Sequence, residues 1–164
     1  MAQSKWPKRR RMREILLMSL YSVDPMSDWI VSDLEALINC ASEEGEPITP
    51  RLRTETLRFA QGILEHILPI DQAIQNHLMN WSWERIAMVD RTVLRIAVYE
   101  FFYEDDIPIE VTINEAVEIA KKYGSEKSGG FVNGILNSVA RDNVSQEKWA
   151  LSPKLSGGET RNAK

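Results

Sequence analysis

Six basic side chains crowd the first thirteen residues, Lys5, Lys8, Arg9, Arg10, Arg11 and Arg13, with no acid among them. The 164-residue chain has a formal net charge of −4, so the other 151 residues hold 14 basic against 24 acidic groups. One basic patch on an acidic body fits a local polyanion site better than general nucleic-acid affinity. The arginines also sit where a helix begins. A helix N-terminus carries a partial charge of about +0.5, and a cation there costs about 0.3–1 kcal/mol. The same end, with its unpaired N–H groups, attracts phosphate. The conflict disappears if a polyanion docks there. Arg9 and Arg13 stand one helical turn apart, as do Lys8 and Arg11, so the cluster is expected to surround the helix tip. A solvated basic tail or an import signal is the plainer reading of the same composition.

Other reactive residues are sparse. His66 and His77 lie eleven residues apart, off one helix face, without an H-E-x-x-H motif or a metal-ligand cluster. Cys40 is the single cysteine, which excludes an intramolecular disulfide and a four-cysteine zinc site. Asp105 and Asp106 read as a turn, and no glycine-rich phosphate loop follows a strand. The expectation is a non-enzyme without metal or cofactor. No apolar run approaches the roughly 18 residues needed to span a bilayer. Glu14, Ser19 and Asp24 interrupt any secretory signal. A soluble, cytoplasmic chain without membrane contact is expected.

The elements that must position these groups are helical. Met12, Ile15, Leu16, Ser19, Leu20 and Val23 follow 3.6-residue periodicity, which predicts a helix over 7–23 with Pro7 in its first turn. Ser27 or Asp28 can cap a second helix burying Ile30, Leu34, Leu37, Ile38 and Ala41. Thr49 and Pro50 read as N-cap and N1 of a third, running to about residue 68. Pro69 should break it, leaving a short fourth helix over 71–79. The stretch "NWSWERIAMVD" reads as a turn packed by two indoles. Residues 89–103 are apolar on several sides, as in a central helix. Thr112 and Glu115 form a T-x-x-E capping box, with Ile113, Ala116, Val117 and Ala120 inward. Gly124 should supply a left-handed stop. A last helix covers 126–141, burying Phe131, Ile135, Leu136 and Val139, with Gly134 marking close helix approach. Lys121 and Lys122 read as a solvated face. No segment alternates with period two, so the class is all-α.

The stretch "VTINEAVEIAKKYGSEKSGGFVNGILNSVA" at 111–140 resembles the family of the bacterial transcription antitermination factor NusB. The elements that carry the likeness are an I-N-E-A-x-E-x-A-K segment from Ile113, the glycine at 124, and an F-V-N-G-I-L continuation from Phe131. The arginine-rich opening with its Leu20 and Tyr21, and "VDRTVLRIAVYE" at 89–100, are similar to further blocks of that family in the same order. The resemblance implies about seven helices in two packed three-helix subdomains. It implies one RNA-binding domain over 8–142; the start at 1–7 is expected to be flexible, and the polar, Gly/Ser-containing composition of 143–164, outside the resemblance, reads as a mobile tail. It further implies binding of boxA-containing single-stranded RNA together with the ribosomal small-subunit protein NusE, within the RNA polymerase antitermination complex. Carried over by position, the RNA-binding residues are Arg9, Arg10, Arg11, Arg13, Tyr21, Asp90, Lys127 and Phe131. Lys127, Gly129 and Gly130 depart from residues found elsewhere in the family. A protein-only interaction module in transcription complexes is the alternative.

Overall fold

The computed structural model describes residues 5–23 and 31–150, and the side chains of 9–23 and 32–150. Among these residues the helices are α1 Lys5–Tyr21, α2 Val31–Glu43, α3 Pro50–Glu65, α4 Ile67–Gln75, α5 Met88–Tyr103, α6 Ile109–Tyr123, α7 Ser128–Asn143 and α8 Gln146–Ala150. A 3-10 turn, Trp83–Arg85, precedes α5. The all-α class holds. Helices α1, α2 and α3 pack on one another, α5, α6 and α7 form a second group, and α4 joins it against α5 and α7. The two groups meet where α1 lies along α5.

Periodicity becomes burial almost position by position in α1. Met12, Ile15, Leu16, Ser19, Leu20 and Val23 are all buried, and Leu17 joins them. Leu34, Ile38 and Ala41 do the same in α2, while Ser27, Asp28 and Ile30 lie outside the described residues. Every residue from Thr92 to Phe101 is buried, which makes α5 the shared core of both groups. The two charged residues between Thr92 and Phe101 are neutralised in place. Arg95 donates twice to Asp71 of α4, at 2.7 and 2.8 Å. Glu100 accepts from Arg13 Nε and Nη2, at 2.9 and 2.5 Å, and from Thr112 Oγ1 at 3.1 Å.

Several local expectations give way to tertiary ones. The Leu52 amide donates to Thr49 Oγ1 (3.2 Å), so the Thr-Pro start of α3 stands. The break after α3 falls at His66, however, and Pro69 sits in the first turn of α4, where its missing N–H costs nothing. Thr112 and Glu115 do not cap α6, which starts three residues earlier behind Pro108. Both are drawn into contacts with other helices. Gly124 is extended (φ −95°, ψ −160°) rather than left-handed. It is required for space, since a Cβ there would fall 2.4 Å from Ser128 Oγ. Gly134 has nothing within 4 Å of a Cβ; the close approach is at Gly62, where a Cβ would meet Tyr99 Oη at 2.4 Å.

The chain beyond residue 142 is also more ordered than its composition suggests. Within α8, Lys148 is buried, and its Nζ donates to the carbonyls of Glu100 (2.5 Å), Phe101 (2.9 Å) and Glu104 (2.8 Å). An ammonium over the last carbonyls of α5 suits the negative end of the helix dipole and gives the Phe101 carbonyl a donor. Burial pushes its pKa down, against the pull of Asp105, Glu100 and Glu104. Residues 151–164 of the expected tail, and 1–4 of the expected flexible start, lie outside the described residues.

Arg13→Met should leave Glu100 as an uncompensated buried charge and cost about 3–5 kcal/mol in urea unfolding. Arg13→Met combined with Glu100→Leu should recover most of that loss. A double variant no more stable than the single one would show that the pair contributes more than mutual neutralisation.

Candidate nucleic-acid interface

The periodicity that buries α1 decides the fate of its arginines. Residues 9 and 13 continue the stripe of Met12, Leu16 and Leu20, so their side chains turn inward. Arg13 is 1% exposed and paired with Glu100. This corrects its expected place on the surface, because the core stripe extends through it. Burial opposes its charge, but the attraction and hydrogen bonds of Glu100 outweigh that and raise its pKa. Arg9 is also buried, with Nη2 at 3.2 Å from Asp106 and 3.6 Å from Glu55. Arg11 is half-buried; its guanidinium donates to the Glu44 carbonyl and lies 3.9 Å from Glu14. Arg9, Arg11 and Arg13 are therefore balanced by acids of the same chain. Among the described side chains these three do not form the expected cluster around the tip, and the side chains of Lys5 and Lys8 lie outside the described residues.

Arg10 is different. Its side chain is 47% exposed, and Nε and Nη2 donate to the two Glu115 oxygens at 2.6 and 2.8 Å. That hydrogen bonding, with Glu118 and Glu14 nearby, raises its pKa. The bidentate grip fixes the plane of the guanidinium while Nη1 and its flat faces remain outward. Glu14, one turn on, accepts from Lys122 at 3.0 Å, so the solvated face expected of Lys121 and Lys122, exposed as read, also borders α1. Lys122 Nζ also stands 5.1 Å from the Tyr123 ring centroid. Tyr21 closes the row and is 51% exposed. Arg10, Glu14 and Tyr21 thus line α1 beside Glu115, Lys122 and Tyr123 of α6.

The remaining expected residues lie at the start of α5 and α7. Asp90 is in the first turn of α5, buried, and its Oδ1 has no hydrogen-bond partner among the described residues. It offers little surface. Phe131 is half-buried and edge-on to Trp81, with centroids 6.0 Å apart. Trp81 is 58% exposed, so the expected pair of packed indoles is one: Trp83 packs under Arg91 and Arg95, at 4.6 and 5.3 Å. Asn80, just before the two indoles, takes a left-handed conformation (φ 64°). Lys127 is exposed and precedes α7, whose start lies two residues later than expected. Ser128 Oγ accepts from the Ser125 amide at 2.9 Å and holds that turn. A Cβ at Gly129 would meet Lys121 Cγ at 2.9 Å, so the α7 start rests on the end of α6, next to Lys122. Arg10, Tyr21 and Lys127 are thus exposed and Phe131 half-buried, whereas Arg9, Arg13 and Asp90 are buried. Trp81, Lys122 and Tyr123 were missed, although an indole and a phenol beside turn residues were readable as exposed stacking faces.

The chain matches the NusB family over residues 10–141. It is 41% identical over 141 residues to the transcription antitermination protein NusB of Pseudothermotoga lettingae, covering 86% of this chain and 96% of that protein. The corresponding protein of Bacillus subtilis is 42% identical over 136 residues, covering 82% and 96%. In three dimensions, NusB of T. maritima superposes with a TM-score of 0.75 at 42% identity, over 87% of this chain and 96% of that one. A crystal structure of the antitermination factors NusB and NusE in complex with double-stranded RNA gives 0.70 at 26% identity, over 83% and 98%.

Gly130, the third residue of α7, has nothing within 4 Å of a Cβ. Gly130→Ala should therefore stabilise the fold by about 0.5–1 kcal/mol through helix propensity. Gly62→Ala, driven into Tyr99, should destabilise it. Thermal unfolding of the two variants checks both signs.

Proposed function

This chain belongs to the NusB family of transcription antitermination factors, and on that premise we propose that it binds the single-stranded boxA element of nascent ribosomal RNA. It does so with NusE, in the cytoplasm, and the complex supports processive elongation by RNA polymerase. The observation that carries this reading is Arg10, a half-exposed guanidinium locked in orientation by Glu115 on the helix that also presents the exposed Tyr21. A fixed guanidinium plane offers N–H donors to phosphate and a surface for a base to stack on. Tyr21 and Trp81 are exposed rings, and Phe131 stands beside Trp81. Isolated flat faces are usable by unstacked bases, which makes single-stranded RNA the matching ligand.

The acids along the same strip explain why a second protein belongs in the assembly. Glu14, Glu115 and Glu118 lie around Arg10 and partly cancel its attraction for phosphate. Binding by this chain alone is then weak, and NusE supplies the further contacts. Among the described residues no helix is long and apolar enough to cross a membrane.

Arg10→Ala should lower the affinity of the chain with NusE for boxA RNA by about 5- to 100-fold. Folding stability should change by less than about 1 kcal/mol, as for an exposed ion pair. Wild-type affinity should fall with salt at a log–log slope of about −0.7 per phosphate contact. Unchanged binding in Arg10→Ala would refute the assignment of the strip, and no RNA shift even with NusE would leave the protein-only module standing.

A further inference from the structure

A groove of about 430 Å3 opens at the Tyr21 end of the strip, walled by Tyr21, Tyr123, Met18, Leu37 and Cys40, with Glu44 on its lining. We propose that this groove receives one unstacked nucleobase of the RNA strand that crosses Arg10, held against the phenol rings of Tyr21 and Tyr123. The inference rests on the RNA-binding reading above and gives it a base pocket.

Four features point to a base. The volume lies within the range of small-molecule sites, about 300–1,000 Å3, and accommodates a nucleobase with its ribose. The walls are apolar and aromatic, as a flat heterocycle requires, and both phenols add hydroxyls at their tips. The Lys122 ammonium, on an exposed side chain and paired with Glu14, stands 5.1 Å from the Tyr123 ring centroid, where the phosphate of an inserted nucleotide would lie. Glu44 supplies a carboxylate acceptor suited to the exocyclic amine of adenine or cytosine. Such an acid would be unwelcome beside a phosphate or a fatty carboxylate.

Position and preorganisation agree with this. Arg10 and Tyr21 are eleven residues apart on α1, about 16 Å along the axis. An extended strand held at Arg10 therefore reaches the groove within a few nucleotides. The Arg11 guanidinium donates to the Glu44 carbonyl, and a Cβ at Gly45 (φ 97°) would lie 3.2 Å from that guanidinium, so the rim is braced before any ligand arrives. An aliphatic protein side chain is the competing occupant. Two phenol walls and a cation at the rim favour the nucleotide.

The test uses the full chain with NusE and boxA RNA carrying an abasic ribose at each position in turn. One position should lose about 5- to 100-fold in affinity, the range for one stacked base. That loss should vanish in Tyr123→Leu, whose affinity for unmodified RNA has already fallen by a similar factor. Tyr21→Leu, on an exposed side chain, gives the same cycle if Tyr123→Leu fails to fold. Cys40, the single cysteine, reports occupancy directly. Intact RNA should slow its alkylation by iodoacetamide, and RNA abasic at the critical position should not. Tight RNA binding with a flat abasic profile and an unprotected Cys40 overturns the pocket while leaving RNA binding in place. Protection of Cys40 by NusE without RNA assigns the groove to protein and overturns it as well. Absence of RNA binding in the wild type fails the functional reading itself.

Discussion

The buried pair of Arg13 with Glu100 constrains the rest of the molecule. A guanidinium and a carboxylate taken from water are tolerated only when they meet in good geometry. Two hydrogen bonds between them therefore fix how α1 lies on α5. Thr112 adds α6 to the same carboxylate, and Lys148 adds α8 through the Glu100 carbonyl. The orientation of the outer surface follows. Three residues back along a helix is a rotation of about 60° from the same direction. With Arg13 turned to the core, Arg10 must emerge beside α6, where Glu115 meets it. The exposed guanidinium is a consequence of the buried one.

This arrangement changes what the charge asymmetry of the sequence means. Cations at the start of α1 work against the helix dipole, and a polyanion is one way to relieve them. The fold relieves three of them itself, with Asp106 and Glu55 for Arg9, Glu14 for Arg11 and Glu100 for Arg13. Much of the acidic excess downstream is thus the counter-charge of the opening segment. Among the described side chains, what is left for an RNA strand is a narrow strip, with Arg10 and Lys122 each still gripped by a glutamate. A ligand there must compete with, or stack upon, groups already paired. Such a strip discriminates by shape and stacking more than by charge.

The features legible in the sequence were those set by periodicity. The apolar stripe of α1, the inward faces of α2, α6 and α7, and the buried centre of α5 all occupy their expected sides. Misreadings arose where a residue had both a local and a distant partner. Thr112 and Glu115 fit a capping box by spacing, yet Glu100 and Arg10 hold them. Gly134 resembled a contact glycine, but the contact belongs to Gly62 because Tyr99 lies over it. Arg9 and Arg13 were the instructive cases. Their spacing, noted as one turn, is also the spacing of the core stripe, so the same pattern that suggested a basic tip placed two of its members inside. Within the site, Arg10, Tyr21, Lys127 and Phe131 remain at the surface or beside it, and the groove could not be read because α1, α2 and α5 contribute to it from distant positions.

The end of the described chain shows how far this network extends beyond the residues matched to the family. That match ends at 141, whereas α8 begins at Gln146. Lys148 nonetheless enters the core and takes three carbonyls from the last turn of α5 and its exit. The α5–α6 connection that it holds carries Asp106, the partner of Arg9. Arg9 is the neighbour of Arg10 on α1. A buried ammonium with three acceptors is costly to unseat, since it loses all three and the Phe101 carbonyl it leaves would need another donor. A segment whose composition reads as a solvated tail is therefore coupled, through Asp106 and Arg9, to the start of the helix that presents the functional guanidinium. Polar composition alone does not separate a tail from a cap; one lysine placed over a helix C-terminus is enough to make the difference.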